Sequence, residues 1–397
     1  PDGNAMDTAP NQPLYLDNAA TTPADPRVAA AFRDHIEVEF GNPSSRHPLG
    51  VRAAEAVARA RRQVARVLGA KPENIVFTAG GTEANNLGVI GAARARRDVL
   101  KTGRPARILV GTTEHASVRA SSLSLEAEGF QVEFLPLDGT GDLDLEAVAA
   151  MLDEDVVVVT HMLVNNEFGT RYPIERLAKL VRGKSPNAHV HIDAVQSLGK
   201  VELTLTELGV DSLSISAHKV HAPKGAGALA FAANARLARL IHGGGQESGL
   251  RSGTENVPGI VALGEAVHLA DEHRAAFCTS SLAIREHIEA SLGAIPGASR
   301  VSPGRPVDSI LAIRVPGPPA EVWQHHLEAR GVYVGVGAAC QSMSTIVSPA
   351  LSALGMDEDA ARHVLRVSLS RMTTLAEAER AMEQLAAVHA ELGELAG

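Results

Sequence analysis

The sequence predicts an α/β fold. A large domain with a mainly parallel sheet spans residues 17–260, and a smaller α+β domain spans 261–397 with residues 1–16 packed nearby. Three observations lead there. Apolar runs at 75–78, 108–111, 132–135, 156–161, 190–193, 212–217 and 227–232 recur with helical segments between most of them. Strands that alternate with helices build a parallel sheet covered on both faces. The rhythm stops after about Val261, and 397 residues are enough for two domains and a large core.

In chain order, a short strand at 14–17 and a helix near 27–35 lie in a segment rich in Pro and Asn. Turn chemistry of that density is often part of a site. Residues 52–68 form an amphipathic helix stopped by Gly69. Beyond the strand and helix rhythm, 261–292 reads as one long helical stretch, with Cys278 inside it as a structural thiol. Strands at 309–315 and 332–334 and helices at 321–330, 347–354 and 375–392 complete the smaller domain.

Composition excludes several classes. The formal net charge is −9, against a nucleic-acid surface, and the Arg-rich stretches 59–66 and 94–97 have helical spacing and read as solvated faces. No apolar run reaches the ~18 residues of a membrane span, and no signal-peptide pattern opens the chain. The expectation is a soluble, cytoplasmic protein, with residues 1–5 ahead of Met6 read as an addition. Two cysteines, Cys278 and Cys340, supply neither a disulfide framework nor a cysteine zinc site.

Five strand ends carry polar groups, which points to one shared site. Residues 211–227 run along an alternating strand to Ser216, His218 and Lys219, then turn at Pro223-Lys224-Gly225. Open α/β sheets bind ligands beyond the carboxyl ends of their strands. Lys219 is therefore either an ordinary surface charge or a Schiff-base lysine for a carbonyl cofactor. Thr78-Ala-Gly-Gly-Thr-Glu-Ala-Asn-Asn86, with Gly81 and Thr82, turns from strand to helix in a way that suits an anion, though it is neither a Walker A loop nor GxGxxG. Asp193 is a helix cap, half of a His-x-Asp metal pair, or the carboxylate that keeps a pyridinium nitrogen protonated. His115 and Asn165-Asn166-Glu167 also follow strands. The loop 242–256, with Gln246, Glu247, Arg251, Thr254 and Asn256, is too polar for a linker and reads as functional, reaching a neighbouring subunit. Cys340 sits among small and polar residues, equally compatible with a structural and a reactive thiol. Arg366 is a surface ion-pair partner or a carboxylate clamp.

The ordered motifs YLDNAATTP, FGNPSS, FTAGGTEANN, TEHASV, VNNEFG, HIDAVQSLGK, SISAHK, GGGQESGLRSGTEN, GAACQS and LRVSLSRMTT cover residues 15–374. Together they resemble the cysteine desulfurase family, pyridoxal-phosphate enzymes of the aspartate-aminotransferase-like fold (fold type I, class V). The resemblance implies that Lys219 bonds the cofactor and then shuttles protons, Asp193 pairs with the pyridine nitrogen, and His115 stacks on the ring and assists acid–base steps. Gln196 and Asn166 are implied near the ring hydroxyl and substrate. Gly81, Thr82, Ser216 and His218 are implied around the phosphate, with Thr254 from the partner of a homodimer. Arg366 and Asn42 join Asn166 as implied substrate contacts. Cys340 is the implied nucleophile, taking sulfur from L-cysteine as a persulfide, releasing L-alanine and serving a sulfur-acceptor protein, as in iron–sulfur cluster assembly.

The chain is also similar to selenocysteine lyases, and an aminotransferase or lyase of the same fold would leave Cys340 incidental. A catalytically silent protein that kept the fold is the alternative from another class. Three departures from the desulfurase pattern stand out: a longer 340–349 segment without Glu-Pro, Ala222 before Pro-Lys-Gly, and Ser370 before Arg371.

Overall fold

The computed structural model describes residues 13–97, 103–301, 303–337 and 348–396. Thirteen strands form three sheets among these residues. In chain order they are β1 (Leu14–Tyr15), β2 (Ile75–Thr78), β3 (Arg107–Gly111), β4 (Gln131–Leu135), β5 (Val156–Met162), β6 (His189–Asp193), β7 (Ser212–Ser216), β8 (Gly227–Phe231), β9 (Ser299–Val301), β10 (Ile310–Arg314), β11 (Val332–Tyr333), β12 (Gly335–Val336) and β13 (Val364–Ser368).

The seven-stranded sheet has the order β2-β8-β7-β6-β5-β3-β4. β4, β3, β5, β6 and β7 are parallel, and β8 runs antiparallel to both β7 and β2. Burial on both faces explains why β5 reads as an unbroken VVVVTHM, every residue of which is buried. The parallel strands end together, so Asp193 and Ser216 emerge at one edge of the sheet.

Helix Pro48–Leu68 supports this sheet. Its buried residues Ala53, Ala56, Val57, Ala60, Val64 and Leu68 recur at helical spacing, and Gly69 closes it in the left-handed region at φ 63°. Each fully buried Val or Leu contributes about 1.5–3 kcal/mol. Helix Val257–Glu272 packs across Pro48–Leu68, close enough that a Cβ at Gly264 would stand 2.7 Å from Ala60.

The long helical stretch expected over 261–292 is two helices, Val257–Glu272 and Arg274–Ser291, divided at His273 (φ −93°, ψ 0°). The two bury into different cores. Ile260, Leu263 and Val267 join the core of the large sheet, while Phe277, Ile284 and Ile288 join a second core with Trp323, Leu311 and Leu385. A straight helix could not serve both, and the break at His273 redirects the chain. That second core packs on the antiparallel sheet β12-β13-β10-β9. Leu14 and Leu16 belong to it, and β1 pairs with β11, which ties the N-terminal segment to the smaller sheet. The 332–334 strand divides into β11 and β12. The 347–354 helix is Pro349–Ala353, capped by the Ser348 hydroxyl.

Candidate active site

Lys219 lies on a single 3₁₀ turn, Ala217–Lys219, directly after β7. Its Nζ donates to the carbonyl oxygens of Ala19 (2.6 Å) and Ala20 (2.7 Å). The turn is fastened to the N-terminal segment: Thr22 donates from its N–H and its hydroxyl to the His218 carbonyl, and His221 N–H donates to Thr22 Oγ1. His221 has φ 69°, uncommon for a residue with a side chain, and these bonds fix it there.

A cavity of about 340 Å³ opens beside Lys219. Gly81, Thr82, His115, Asn166, Asp193, Gln196, Ser216, His218, Lys219 and Arg366 all line it, so ten of the residues expected from sequence converge. Asp193 stands at the end of β6, buried, with Oδ1 accepting from Val195 N–H (2.9 Å) and Oδ2 from Asn85 Nδ2 (2.7 Å). Gln196 donates through Nε2 to Ala19 O (2.9 Å) and accepts at Oε1 from Lys200 Nζ (3.2 Å). Burial, with Lys219 nearby, pushes the Lys200 ammonium down to about 7.

His115 caps helix Ala116–Ser124, its Nδ1 accepting from Ser117 N–H (3.1 Å). A neutral ring with Nδ1 accepting carries its proton on Nε2. His218 is lowered to about 4 by burial and then by Lys219 and Lys224, so its ring is neutral at pH 7.

One wall suits a phosphate. Gly81 opens a helix that runs through Asn86 and continues to Arg96, and its free N–H groups lie beside Thr82 and Ser216. A Cβ at Gly81 would come within 2.8 Å of Val195 Cγ2 and 3.3 Å of Ser216 Cβ, so only glycine permits this approach. The opposite wall is cationic. Arg366, on β13, donates from Nη1 to Asn166 O (3.1 Å) and from Nη2 to Asp17 Oδ1 (2.8 Å), and its buried Nε has no partner among the described residues. Gly335, opposite Arg366 across β12 and β13, makes room for the pair, since a Cβ there would stand 2.7 Å from Asp17 Oδ1. Asn165 Oδ1 accepts from the N–H groups of Glu167 and Phe168 and holds the turn that presents Asn166. Glu167 is pushed up to about 7 by burial and accepts from Ser348 Oγ.

These groups fit pyridoxal phosphate: a lysine amine, a buried carboxylate, an anion cradle that a Cβ would fill, and an unfilled guanidinium donor. Three expected residues stand apart. Asn42 is exposed, does not line the cavity, and uses Oδ1 to accept from Ser44 N–H (2.9 Å). Thr254 is exposed and does not line this chain's cavity. Cys340 lies outside the described residues.

Loop 242–256 is anchored to the cofactor wall. Glu247, buried, accepts from Arg61 Nη1 (2.9 Å) and Nη2 (2.6 Å) and from Phe77 N–H (2.8 Å), while Arg251 pairs with Glu83, next to Thr82. Cys278 is half-buried, raised by burial, and donates to Lys200 O, as a structural thiol does. It borders a larger crevice of about 540 Å³ near Tyr172 and Pro306. That crevice has the volume, but the convergent chemistry is at Lys219. Ser370, at the third departure, closes a turn: its N–H donates to Thr373 Oγ1 and its hydroxyl accepts from Met372 N–H.

Sequence reasoning missed Asp17, Ala19, Ala20 and Asn85. YLDNAA and EANN contain them. Backbone carbonyls leave no side-chain signal, but Asn85 falls one helical turn after Thr82, a spacing that puts both on one face.

The model of the class-V aminotransferase family matches residues 14–381. A cysteine desulfurase 2 from Trichormus variabilis is 38% identical over 93% of this chain and 91% of its own length. A cysteine desulfurase IscS from an Anaeromyxobacter species is 41% identical over 91% of this chain and 89% of its own. Among solved structures, a NifS-like protein superposes with a TM-score of 0.89 at 33% identity, covering 96% of this chain and all of that one. SspA in complex with cysteine gives 0.77 at 32% identity over 89% of this chain and 98% of its own.

Proposed function

The chain belongs to the class-V aminotransferase family, among its cysteine desulfurases, and from that premise we propose that it uses pyridoxal 5′-phosphate to convert L-cysteine to L-alanine and passes the sulfur through Cys340. The observation that carries the reading is the meeting of Lys219, Asp193 and Arg366 in one cavity. When bound through Lys219, the cofactor supplies an electron sink for negative charge developing at the substrate Cα.

The chain's own residues do the rest. Arg366, held by Asp17 and the Asn166 carbonyl, binds the substrate carboxylate from the cavity wall and fixes which substrate bonds face the cofactor. Lys219, released from its bond to the cofactor, accepts the Cα proton and returns a proton to the product; the Ala19 and Ala20 carbonyls stabilise its charged form. Asp193, fixed by Val195 N–H and Asn85 Nδ2, would hold a proton on the ring nitrogen. Gly81, Thr82, Ser216 and neutral His218 bind the phosphate, with Thr254 of a second copy of this chain completing it. Cys340, as thiolate, attacks the substrate sulfur: the S–S bond forms as the sulfur–Cβ bond breaks, and the electron pair passes to the alanine precursor. A thiol near its ordinary pKa of ~8.5 is only a few per cent thiolate at pH 7. His115, which lines the same cavity, is the residue proposed to assist it.

The persulfide is then open to a sulfur-acceptor protein, as expected for sulfur delivery to iron–sulfur cluster assembly. No helix among the described residues is long and apolar enough to cross a membrane. The test is alanine formation from L-cysteine. Cys340→Ala should keep its bound cofactor and lose sulfur release by at least about 10²-fold, the scale for a lost nucleophile or proton-transfer group. Full alanine and sulfide production by that variant would assign the chemistry elsewhere.

A further inference from the structure

Asp193 is the last member of a buried hydrogen-bonded row that its own role does not require. His189, His191 and Asp193 alternate along β6 and so share one face of the sheet, as do Ser212 and Ser214 on β7. Register pairs His191 with Ser212 and Asp193 with Ser214. His189 Nε2 lies 2.7 Å from Ser212 Oγ, Ser212 Oγ lies 2.8 Å from His191 Nδ1, and His191 Nε2 lies 3.1 Å from Asn85 Oδ1. Asn85 Nδ2 then reaches Asp193 Oδ2 at 2.7 Å and Ser117 Oγ at 2.8 Å, and Ser214 Oγ also donates to Asn85 Oδ1. All of these side chains are buried.

The acceptor at one end fixes every proton. Asn85 offers its amide NH₂ to Asp193 Oδ2 and keeps Oδ1 for incoming donors. His191 Nε2 therefore carries a proton, and its Nδ1 is an acceptor. Ser212 gives its hydroxyl proton to that Nδ1 and its lone pair to His189 Nε2–H. The result is a one-way series of donors running from His189 to Asp193, and hydrogen bonds in series polarise one another in a low dielectric. Burial lowers His191 to about 3 and His189 well below its ordinary value, so both rings remain neutral.

The surroundings fit the same arrangement. A Cβ at Gly88 would come within 2.3 Å of the His191 ring, and the helix widens to a π turn at Leu87–Gly91, where that ring packs. π turns of this kind recur at functional sites. Arg96 and Arg182 lie near His189, Asp211 accepts from Val190 N–H between the two histidines, and buried Glu114, raised well above its ordinary range by burial and then by Asp193, lies near Asp193.

We propose that His191, Ser212 and Asn85 are positioning residues that hold Asp193 as an ionised carboxylate through a one-way donor series starting at His189. The inference rests on the reading of Asp193 as the partner of the cofactor's ring nitrogen.

The test uses holoenzyme loaded with pyridoxal phosphate labelled with ¹⁵N in the ring, without substrate, and reads the ring-nitrogen shift from pH 6 to 9. The wild type should stay protonated throughout. His191→Phe and the milder Ser212→Ala should bring the deprotonation midpoint down into this window, at least about one unit below the wild type's, a tenfold loss in proton affinity, with Ser212→Thr restoring full protonation. Asp193→Ala separates the two levels of the argument. If it leaves the ring nitrogen protonated, the reading of Asp193 fails and the proposal with it. If Asp193→Ala deprotonates the ring while folded, cofactor-loaded His191→Phe and Ser212→Ala match the wild type, the donor series is overturned and Asp193 stands alone.

Discussion

The two walls of the cavity are built differently. The wall from the large sheet carries Lys219, Asp193, Gln196, Ser216 and Thr82 on strand ends and a helix start, tied to one another through Ala19, Val195 and Asn85. Arg366 stands on the other, from the small antiparallel sheet, and is held by Asp17, which bridges to Ser368 of the same sheet, and by the Asn166 carbonyl from the large sheet's side. The first wall, proposed to hold the cofactor, is built on the large sheet's own core. The second meets the first where the two cores adjoin. On the proposed roles, cofactor retention belongs to the first wall and substrate recognition to the second, so each should break without the other.

Breaking the first wall at its centre has the largest expected effect. Lys219→Ala removes both the covalent tether and the proton-transfer group, and turnover of L-cysteine should fall by at least about 10³-fold, within the range for such groups. The visible absorbance of the bound cofactor should change with it. An active variant with unchanged absorbance would remove Lys219 from the chemistry.

A smaller effect, on stability, sharpens the comparison because most of the groups concerned lie on the first wall or behind it. His161, His218 and His221 are lowered to about 4, His191 to about 3, and His189 well below its ordinary value, all with burial as the largest cause. Each folded pKa lies below the unfolded value of ~6.5, so below that pH the unfolded chain binds more protons and these groups' stabilisation is lost as pH falls toward 4. Glu167, raised to about 7, and Glu114, raised well above its ordinary range, act oppositely, losing stability as pH rises above about 4.5. Five histidines outweigh two acids. The melting temperature of the cofactor-free protein should therefore fall between pH 6.5 and 4, and a flat profile would mean that the rings are not buried neutral.

Much of this was legible in the sequence. The parallel sheet was visible because its strands are buried on both faces and read as apolar runs, and the polar groups at their ends stood out against them. Gly81, Asp193, Ser216 and Lys219 could be placed in one site for that reason. The contacts of Ala19 and Ala20 could not, because carbonyl oxygens belong to every residue and only the fold selects two of them. Asn85 was hidden in a helix, and Gly335 acts by lacking a side chain. The helix break at His273 has no Pro or Gly to announce it and follows from the need to fill two cores. Asn42 carries a motif match, yet its side chain closes a local turn instead of reaching the cavity.

The separation of the two walls is tested most directly by Arg366→Lys, which keeps the charge and loses the paired donors. Measured on one preparation, its KM for L-cysteine should rise about 10- to 100-fold, the equivalent of a charged hydrogen bond worth about 1.5–3 kcal/mol. The dissociation constant for pyridoxal phosphate should stay within about twofold of the wild type. Loss of cofactor in step with the rise in KM, or an unchanged KM, would contradict the division of labour between the walls.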